Sequence, residues 1–384
     1  MHQEIFATTP RIILGTGTIA RLGDEVRRLG GTSVCIITDP GVAASGIVER
    51  VEGLLDAAGL SHVRFDKVEA DPRYEIVEDA LAVARGAKAD VIIGIGGGSS
   101  LDMAKITAVM ATNEGPVGKY FGTDLIPAPG LKTILIPTTA GTGSEVTPIV
   151  ILSDHHEKLK KGIVSPYIFP AVALLDAELT IGLPPKVTAA TGMDALIHAL
   201  EAYTSINATP MTDLLAKEAI HLIYNNIRSA YAKGDNLPAR ENMLRGAMLA
   251  GMAFANAGVT AVHAFAYPIG AEFHIPHGIA NTIMLVPVMR FNQTGNLGRF
   301  AELAAFLGQP VAGLSLRQAA ASAVTALTEL AEDLAVPQHL AAYGVTEEHV
   351  PTLAASVMLV TRLLANNPRH MTQEDAAVIY RQAL

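Results

Sequence analysis

The stretch "VIIGIGGGSSLDMAKITAVMA", residues 91–111, decides the fold. It opens as a β-branched run, passes through three consecutive glycines and two serines, and continues in a helical pattern. A strand that turns through glycine directly into a helix belongs to a parallel βαβ arrangement. Glycines let the backbone approach an anion closely, and the N-terminus of the next helix presents free N–H groups at its positive dipole end. Gly96, Gly97, Gly98 and Ser99 thus form the physical outline of a diphosphate cradle. Ser99 stands where G-x-G-x-x-G would need its last glycine, so the usual dinucleotide fingerprint is not met. A tight turn without a ligand satisfies the same pattern.

Working outward, the first half keeps alternating. Strand candidates "RIILG" (11–15), "SVCIITD" (33–39) and "HVRFDKV" (62–68) are separated by helical "TIARLGDEVRRLG" (18–30) and "VERVEGLLDAAG" (48–59). A third helix, "YEIVEDALAVARG" (74–86), leads to the glycine turn, and "KTILIPT", "PIVILSD" and "AVALLDA" are further strands. Short apolar runs with intervening helices predict parallel strands with crossovers. After "LTIGLPP" (179–185) almost every segment has helical periodicity, as in "MTDLLAKEAIHLIYNNIRSAYA" and "ARENMLRGAMLAGMAFANA". The expected organisation is an α/β domain over residues 1–183 and an all-helical domain over 184–384. A cleft between two unlike domains is a common place for a ligand.

Bulk properties agree with a two-domain protein. A chain of 384 residues exceeds one ordinary hydrophobic core. Half of it is apolar and the mean hydropathy is +0.33, yet no apolar run approaches the roughly 18 residues that suggest a membrane span. "MHQEIFATTPRIILG" lacks the basic start and long apolar centre of a signal peptide. A net charge of −9, with "KLKK" (158–161) as the densest basic patch, argues against nucleic acid. The single cysteine, Cys35, sits in the apolar "TSVCIITD" and fits a buried thiol in a reducing cytosol. With 17% charged residues the surface is poor in charge, which favours subunit contacts.

Three features carry chemistry. "IPTTAGTGSEVTP" (136–148) follows a strand and is rich in small hydroxyls, namely Thr138, Thr139, Thr142, Ser144 and Thr147, which suit a phosphate or ribose. Asp39 directly follows the second strand, where a carboxylate can accept from a ribose diol and repel a 2′-phosphate, favouring NAD over NADP. An ordinary loop and an ordinary Asp-Pro turn read the same way. The third is "TGMDALIHALEAYT" (191–204), where Asp194 and His198 share one face of an apolar helix. A buried charge is costly unless paired or metal-bound. Downstream, "GVTAVHAFAYPIGAEFHIPHGIAN" (258–281) adds His263, His274 and His277. Any one of these histidines alone reads as a core or surface residue. Together, Asp194, His198, His263 and His277 form a nitrogen and oxygen donor set suited to Fe²⁺ or Zn²⁺.

The combination of "GGGSSLDMAK" (96–105), "PTTAGTGSEVTP" (137–148), "ATGMDALIHALEAYTS" (190–205) and "HAFAYPIGAEFHIPHGIAN" (263–281) resembles the iron-containing, group III alcohol dehydrogenases. The ends, "TTPRIILGTGTIARL" and "NNPRHMTQEDAAVIY", are similar to that family too, so the resemblance spans the chain. It implies an N-terminal dinucleotide-binding domain and a helical domain with a divalent metal in the cleft. Matched residue by residue, it implies Asp194, His198, His263 and His277 as metal ligands. It places the diphosphate on Gly96, Gly97, Gly98 and Ser99, with Asp102 beginning the next helix, and lines the cofactor site with Thr138, Thr139, Thr142 and Ser144. Lys160 matches a lysine near the nicotinamide ribose, although adjacent Lys161 leaves the register open, and Leu179 falls at a cofactor-contacting position.

The implied activity is NAD-dependent hydride transfer to or from a small primary or secondary alcohol or aldehyde, in a cytoplasmic homodimer or larger assembly without membrane partners. Many family members carry a second histidine where this chain has Tyr267. A phenol, with an ordinary pKa of about 10, is a poorer proton acceptor than imidazole, so a proton route through that position is in doubt. His274 is an alternative carrier, and Phe254, Tyr267 and Phe273 are expected pocket walls. Rival readings are a hydroxyacid–oxoacid transhydrogenase, a maleylacetate-reductase-like enzyme, a dehydroquinate-synthase-like lyase and a non-enzymatic binding protein.

Overall fold

The computed structural model describes residues 4–154 and 159–384; Lys158 of the basic patch lies outside them. The chain divides into two compact units. One comprises Ala7–Leu183 with Asp235–Leu244; the other comprises Pro184–Gly234 and Arg245–Leu384, with the first residues through Phe6.

The α/β unit is built on strands β1 (Ile12–Leu14), β2 (Ser33–Ile37), β3 (Ser61–Phe65), β4 (Val91–Gly96), β5 (Gly122–Thr123), β6 (Lys132–Pro137), β7 (Ile149–Asp154), β8 (Leu159–Val164) and β9 (Val172–Leu175). Six of these form a sheet in the order β1-β9-β6-β4-β2-β3, and every pairing in it is parallel. Helices α1 (Leu22–Arg28), α2 (Pro40–Ala43), α3 (Ile47–Ala57), α4 (Ile76–Gly86) and α5 (Gly98–Met110) provide crossovers. Strand alternation divides the core in two. Val34, Ile36, Val91, Ile93 and Ile95 pack with Leu22, Val26, Val48 and Leu55 of α1 and α3. Cys35, Ile37, Ile92 and Leu135 pack with Val77, Leu81, Met103 and Ala104 of α4 and α5. A sheet covered on both faces needs apolar residues at every position, which is why these strands read as unbroken apolar runs. Cys35 is buried as expected, and burial pushes its thiol up to about 12.

One strand expectation is corrected. "PIVILSD" does not join the main sheet: β7 pairs antiparallel with β8 in a three-stranded sheet completed by β5. β8, "LKKGIV", was hidden by its two lysines, which interrupt the apolar signal.

In the helical unit, α6 (Pro185–Thr204, 20 residues) and α7 (Pro210–Ala232, 23 residues) pack on each other. α8 (Leu237–Ala257), which belongs to this unit from Arg245 onward, α9 (Ala261–Phe273) and α10 (His277–Asn292) follow, and α10 packs on both α6 and α9. α6 is buried on nearly all sides from Gly192 to Thr204, so its polar residues must find partners inside the fold. Among the described residues no single helix is long and apolar enough to cross a membrane.

Gly94, in the middle of β4, allows α5 to lie against the sheet. A Cβ there would come within 2.7 Å of the Ala104 Cβ and 2.8 Å of Leu135 Cδ2. Gly94→Ala should therefore cost about 1–3 kcal/mol through overpacking, read as a lower denaturant midpoint with an unchanged m-value.

Candidate metal centre and glycine cradle

Three helices of the helical unit converge on Asp194. α6 carries Asp194, His198 and Glu201 at spacings of four and three, which sets them on one face. α9 carries His263 in its first turn, and α10 carries His277 as its first residue. Asp194 Oδ1 lies 3.7 Å from His263 Nε2 and 3.6 Å from His277 Nε2. One donor atom from each of Asp194, His263 and His277 falls within 4.8 Å of the others. His198 borders this trio: its Nδ1 is 3.8 Å from Asp194 Oδ2, and its ring stacks on His263 at 4.5 Å and on Phe254 at 4.3 Å.

The electrostatics follow from burial. Burial opposes the charge on Asp194, but His198, His277, His263 and the Asn281 amide hold its carboxyl below the usual range. Burial pushes His198 down to about 3, against the pull of Asp194. A neutral imidazole with an open lone pair is what a metal ligand requires.

The donor set fits a divalent metal. His263 Nε2 and His198 Nδ1 are buried and have no hydrogen-bond partner within the protein, although buried polar atoms are rarely left so. Two nitrogens and a carboxylate oxygen suit Fe²⁺ or Zn²⁺, whereas Ca²⁺ and Mg²⁺ prefer all-oxygen sets.

Two supporting residues escaped the sequence reading. Glu201, fully buried, accepts from Thr260 Oγ1 at 2.6 Å and the Val262 N–H at 2.7 Å, and its other oxygen meets His263 Nδ1. Asn281, four residues after His277, donates to Asp194 Oδ1 at 2.7 Å and lies 3.2 Å from His277 Nε2. The signal for Glu201 was present, because an acidic residue three after His198 shares its face. Tyr267 stands with its ring 6.2 Å from that of His277. His274 caps α9 in a left-handed conformation (φ 53°) and is solvent-exposed, while Phe273 packs edge-on against His349.

In the α/β unit the glycine turn closes as expected. Gly96 has φ +144°, Gly97 is the N-cap of α5, and no side chain caps that helix. Uncapped N–H groups at a helix N-terminus suit an anion. Gly98 has a second reason to be glycine: a Cβ there would lie 2.6 Å from Thr142 Cγ2, so the hydroxyl-rich loop packs directly onto the turn. Gly97 faces Thr139 at an ordinary 3.5 Å from the equivalent position. Asp39 uses one oxygen to cap α2 through the Val42 N–H and the other to accept from Ser100 Oγ, both at 3.0 Å.

Asp102 ties the region together. It accepts from Ser144 Oγ at 2.5 Å and the Ile151 N–H at 2.9 Å, and it lies 3.1 Å from Lys105 Nζ. Lys105 is wholly buried and donates to the carbonyls of Ser144 (3.0 Å) and Ile149 (2.5 Å). Burial pushes its pKa down against the pull of Asp102. Thr138 is buried at the end of the loop's entry, next to Thr139. Of the two lysines, Lys160 donates to Asp71 at 2.6 Å, and the Asp71 N–H donates to Ser99 Oγ at 3.3 Å. Lys161 points instead to Asp154 at 2.8 Å. Leu179 is only 4% exposed and belongs to the core beneath α1 and α3.

A parallel α/β unit with an uncapped glycine turn and a helical unit with an Asp/His cluster fit the class of dinucleotide- and metal-binding proteins. The sequence matches the iron-containing alcohol dehydrogenase model over residues 9–177 and the C-terminal model of the Fe-containing alcohol dehydrogenase family over residues 188–384. The chain therefore belongs to the iron-containing alcohol dehydrogenase family. It is 42% identical to a sulfoacetaldehyde reductase of Bilophila wadsworthia and to a 1,3-propanediol dehydrogenase of Klebsiella pneumoniae, in each case over 96% of both chains. The fold superposes on a 1,3-propanediol oxidoreductase crystal structure with a TM-score of 0.97 at 40% identity, covering both chains completely. A sulfoacetaldehyde reductase from Bifidobacterium kashiwanohense in complex with NAD⁺ gives a TM-score of 0.90 at 29% identity, covering 100% of this chain and 99% of that one.

Gly278 lets the start of α10 press on α6, since a Cβ there would overlap the Ala190 carbonyl. Gly278→Ala should displace His277 from Asp194. We expect a stability loss of about 1–3 kcal/mol and weaker Zn²⁺ binding, measured by chemical denaturation and by calorimetric titration.

Proposed function

We propose that this chain is a metal-dependent dehydrogenase that transfers a hydride between NAD(H) and a small primary or secondary alcohol or the corresponding aldehyde. The observation that carries this reading is the buried His263 Nε2, without a hydrogen-bond partner, facing Asp194 beside His277. When bound, the metal supplies Lewis acidity toward the substrate oxygen and NAD(H) supplies the hydride acceptor or donor. Iron is the first expectation, with zinc accepted by the same donors.

The chain's own residues do the rest. Asp194, His198, His263 and His277 hold the cation, with Asp194 offsetting part of its charge. Gly96, Gly97, Gly98 and Ser99, at the open end of α5, hold the diphosphate. Thr138, Thr139, Thr142 and Ser144 line the cofactor site, braced by Asp102. Asp39 accepts from the ribose and disfavours a 2′-phosphate, giving NAD over NADP. Lys160, through the Asp71–Ser99 side of the turn, approaches the ribose, and Leu179 provides an apolar floor. Tyr267 and Phe254 shape an aromatic, apolar substrate pocket suited to short aliphatic substrates. The enzyme acts in the cytoplasm as a homodimer or a larger assembly, a reading supported by its low charge content and single buried cysteine.

The test is an NADH-absorbance screen over alcohols and aldehydes, with Fe²⁺ and Zn²⁺ added separately to chelated protein. Turnover should appear only with metal, and net NADH production from a simple alcohol excludes a lyase or a transhydrogenase that regenerates its cofactor. His263→Ala should lower kcat/KM by more than the roughly 100-fold typical of outer-sphere changes, while the Kd for NAD⁺ stays within about threefold, since a one-kcal/mol change is a factor of about five. Full activity after complete metal removal would refute the scheme.

A further inference from the structure

We propose that Glu201 is the positioning residue that fixes the tautomer of His263, so that Nε2 is presented to the metal as a bare lone pair; this rests on the metal reading above. The geometry leaves the carboxylate one task per oxygen. Oε1 is shared by two donors, the Thr260 hydroxyl at 2.6 Å and the Val262 N–H at 2.7 Å. Oε2 is left for His263 Nδ1. A carboxylate is acceptor-only, so under this assignment the proton sits on the nitrogen that faces it, Nδ1. The proton on Nδ1 leaves Nε2 deprotonated, and Nε2 is the atom that lies 3.7 Å from Asp194 and lacks a hydrogen-bond partner.

Glu201 and His263 are both buried, so water cannot take over either role. The arrangement is set by α6, which carries Glu201 two turns after Asp194, and by the first turn of α9. A single helix face therefore supplies both a direct ligand and the acceptor that orients another. A partner of this kind also raises the basicity of the ligating nitrogen.

Glu201→Gln distinguishes this role from a structural one. Glutamine has one acceptor oxygen and one NH₂ group. The Val262 N–H, an obligate donor, claims the oxygen, and the NH₂ then faces His263 Nδ1. That favours the tautomer protonated at Nε2, which aims a proton at the cation site without removing a side chain. The control is Thr260→Val, which deletes one hydrogen bond to Oε1 and leaves the Oε2 contact intact.

The experiment uses full-length, metal-free protein with ¹⁵N-labelled histidine, and Co²⁺ as the binding probe. The His263 resonances, assigned by their loss in His263→Ala, should show Nδ1 protonated and Nε2 bare in the wild type. Glu201→Gln should reverse that pattern and weaken Co²⁺ binding about 10- to 100-fold, whereas Thr260→Val should keep both the wild-type tautomer and the affinity. A wild-type His263 protonated at Nε2 overturns the proposal, and this reading holds even if the glutamine variant does not fold. So does a folded Glu201→Gln that binds Co²⁺ as the wild type does, or a Thr260→Val that loses as much affinity. A wild-type chain that binds no Co²⁺ overturns the metal reading, and the positioning role falls with it.

Discussion

A carboxylate inside an apolar interior must be met by donors or cations, and Asp194 concentrates that requirement. Its helix is buried on nearly every side, so solvent cannot satisfy it. The effective cost of an unmatched buried ion is several kcal/mol, enough to consume much of a domain's net stability. The fold answers by bringing Asn281, His263 and His277 from two other helices to within a few ångströms. Those neighbours do not cancel the demand completely. Asp194 receives one strong hydrogen bond from Asn281, while His263 and His198 each keep a buried nitrogen without a partner. A site whose polar groups are organised but not mutually satisfied is organised around something else.

The same logic links packing to chemistry elsewhere in the helical unit. Gly278 is the point at which α10 can approach α6 closely enough for His277 to reach Asp194. Glu201 uses the next turns of α6 to anchor the start of α9, and with it the ring of His263. Ligand placement is thus a property of helix packing. The α/β unit differs, since its glycine turn presents backbone rather than side chains. A buried lysine, Lys105, ties α5 to the neighbouring loop. It gathers the carbonyls of Ser144 and Ile149 and lies 3.1 Å from Asp102.

Much of this was legible beforehand. The parallel sheet followed from apolar runs that alternate with amphipathic helices, because both periodicities are local. β8 was not legible: its lysines are tolerated because a strand in a small, partly exposed sheet has one solvated face. That missed strand also explains the ambiguity between Lys160 and Lys161. Neighbouring strand residues point to opposite faces, so one lysine turns toward Asp71 and Ser99 and the other toward Asp154. Glu201 was visible as a residue but not as a participant, since nothing in its own helix indicates that Thr260, Val262 and His263 will arrive beside it.

Taken alone, the order of residues determined most of the helices and strands, β8 excepted, and which helix faces carry polar groups and which glycines must turn the chain. It also supplied the donor types, and therefore the class of cation they prefer. Tertiary structure decided which donors meet: Asp194, His263 and His277 in one group with His198 at its border, and Glu201 behind His263. The reason is range. Periodicity and turn chemistry act over a few residues, whereas the distance between Asp194 and His277 is set by how α6, α9 and α10 pack.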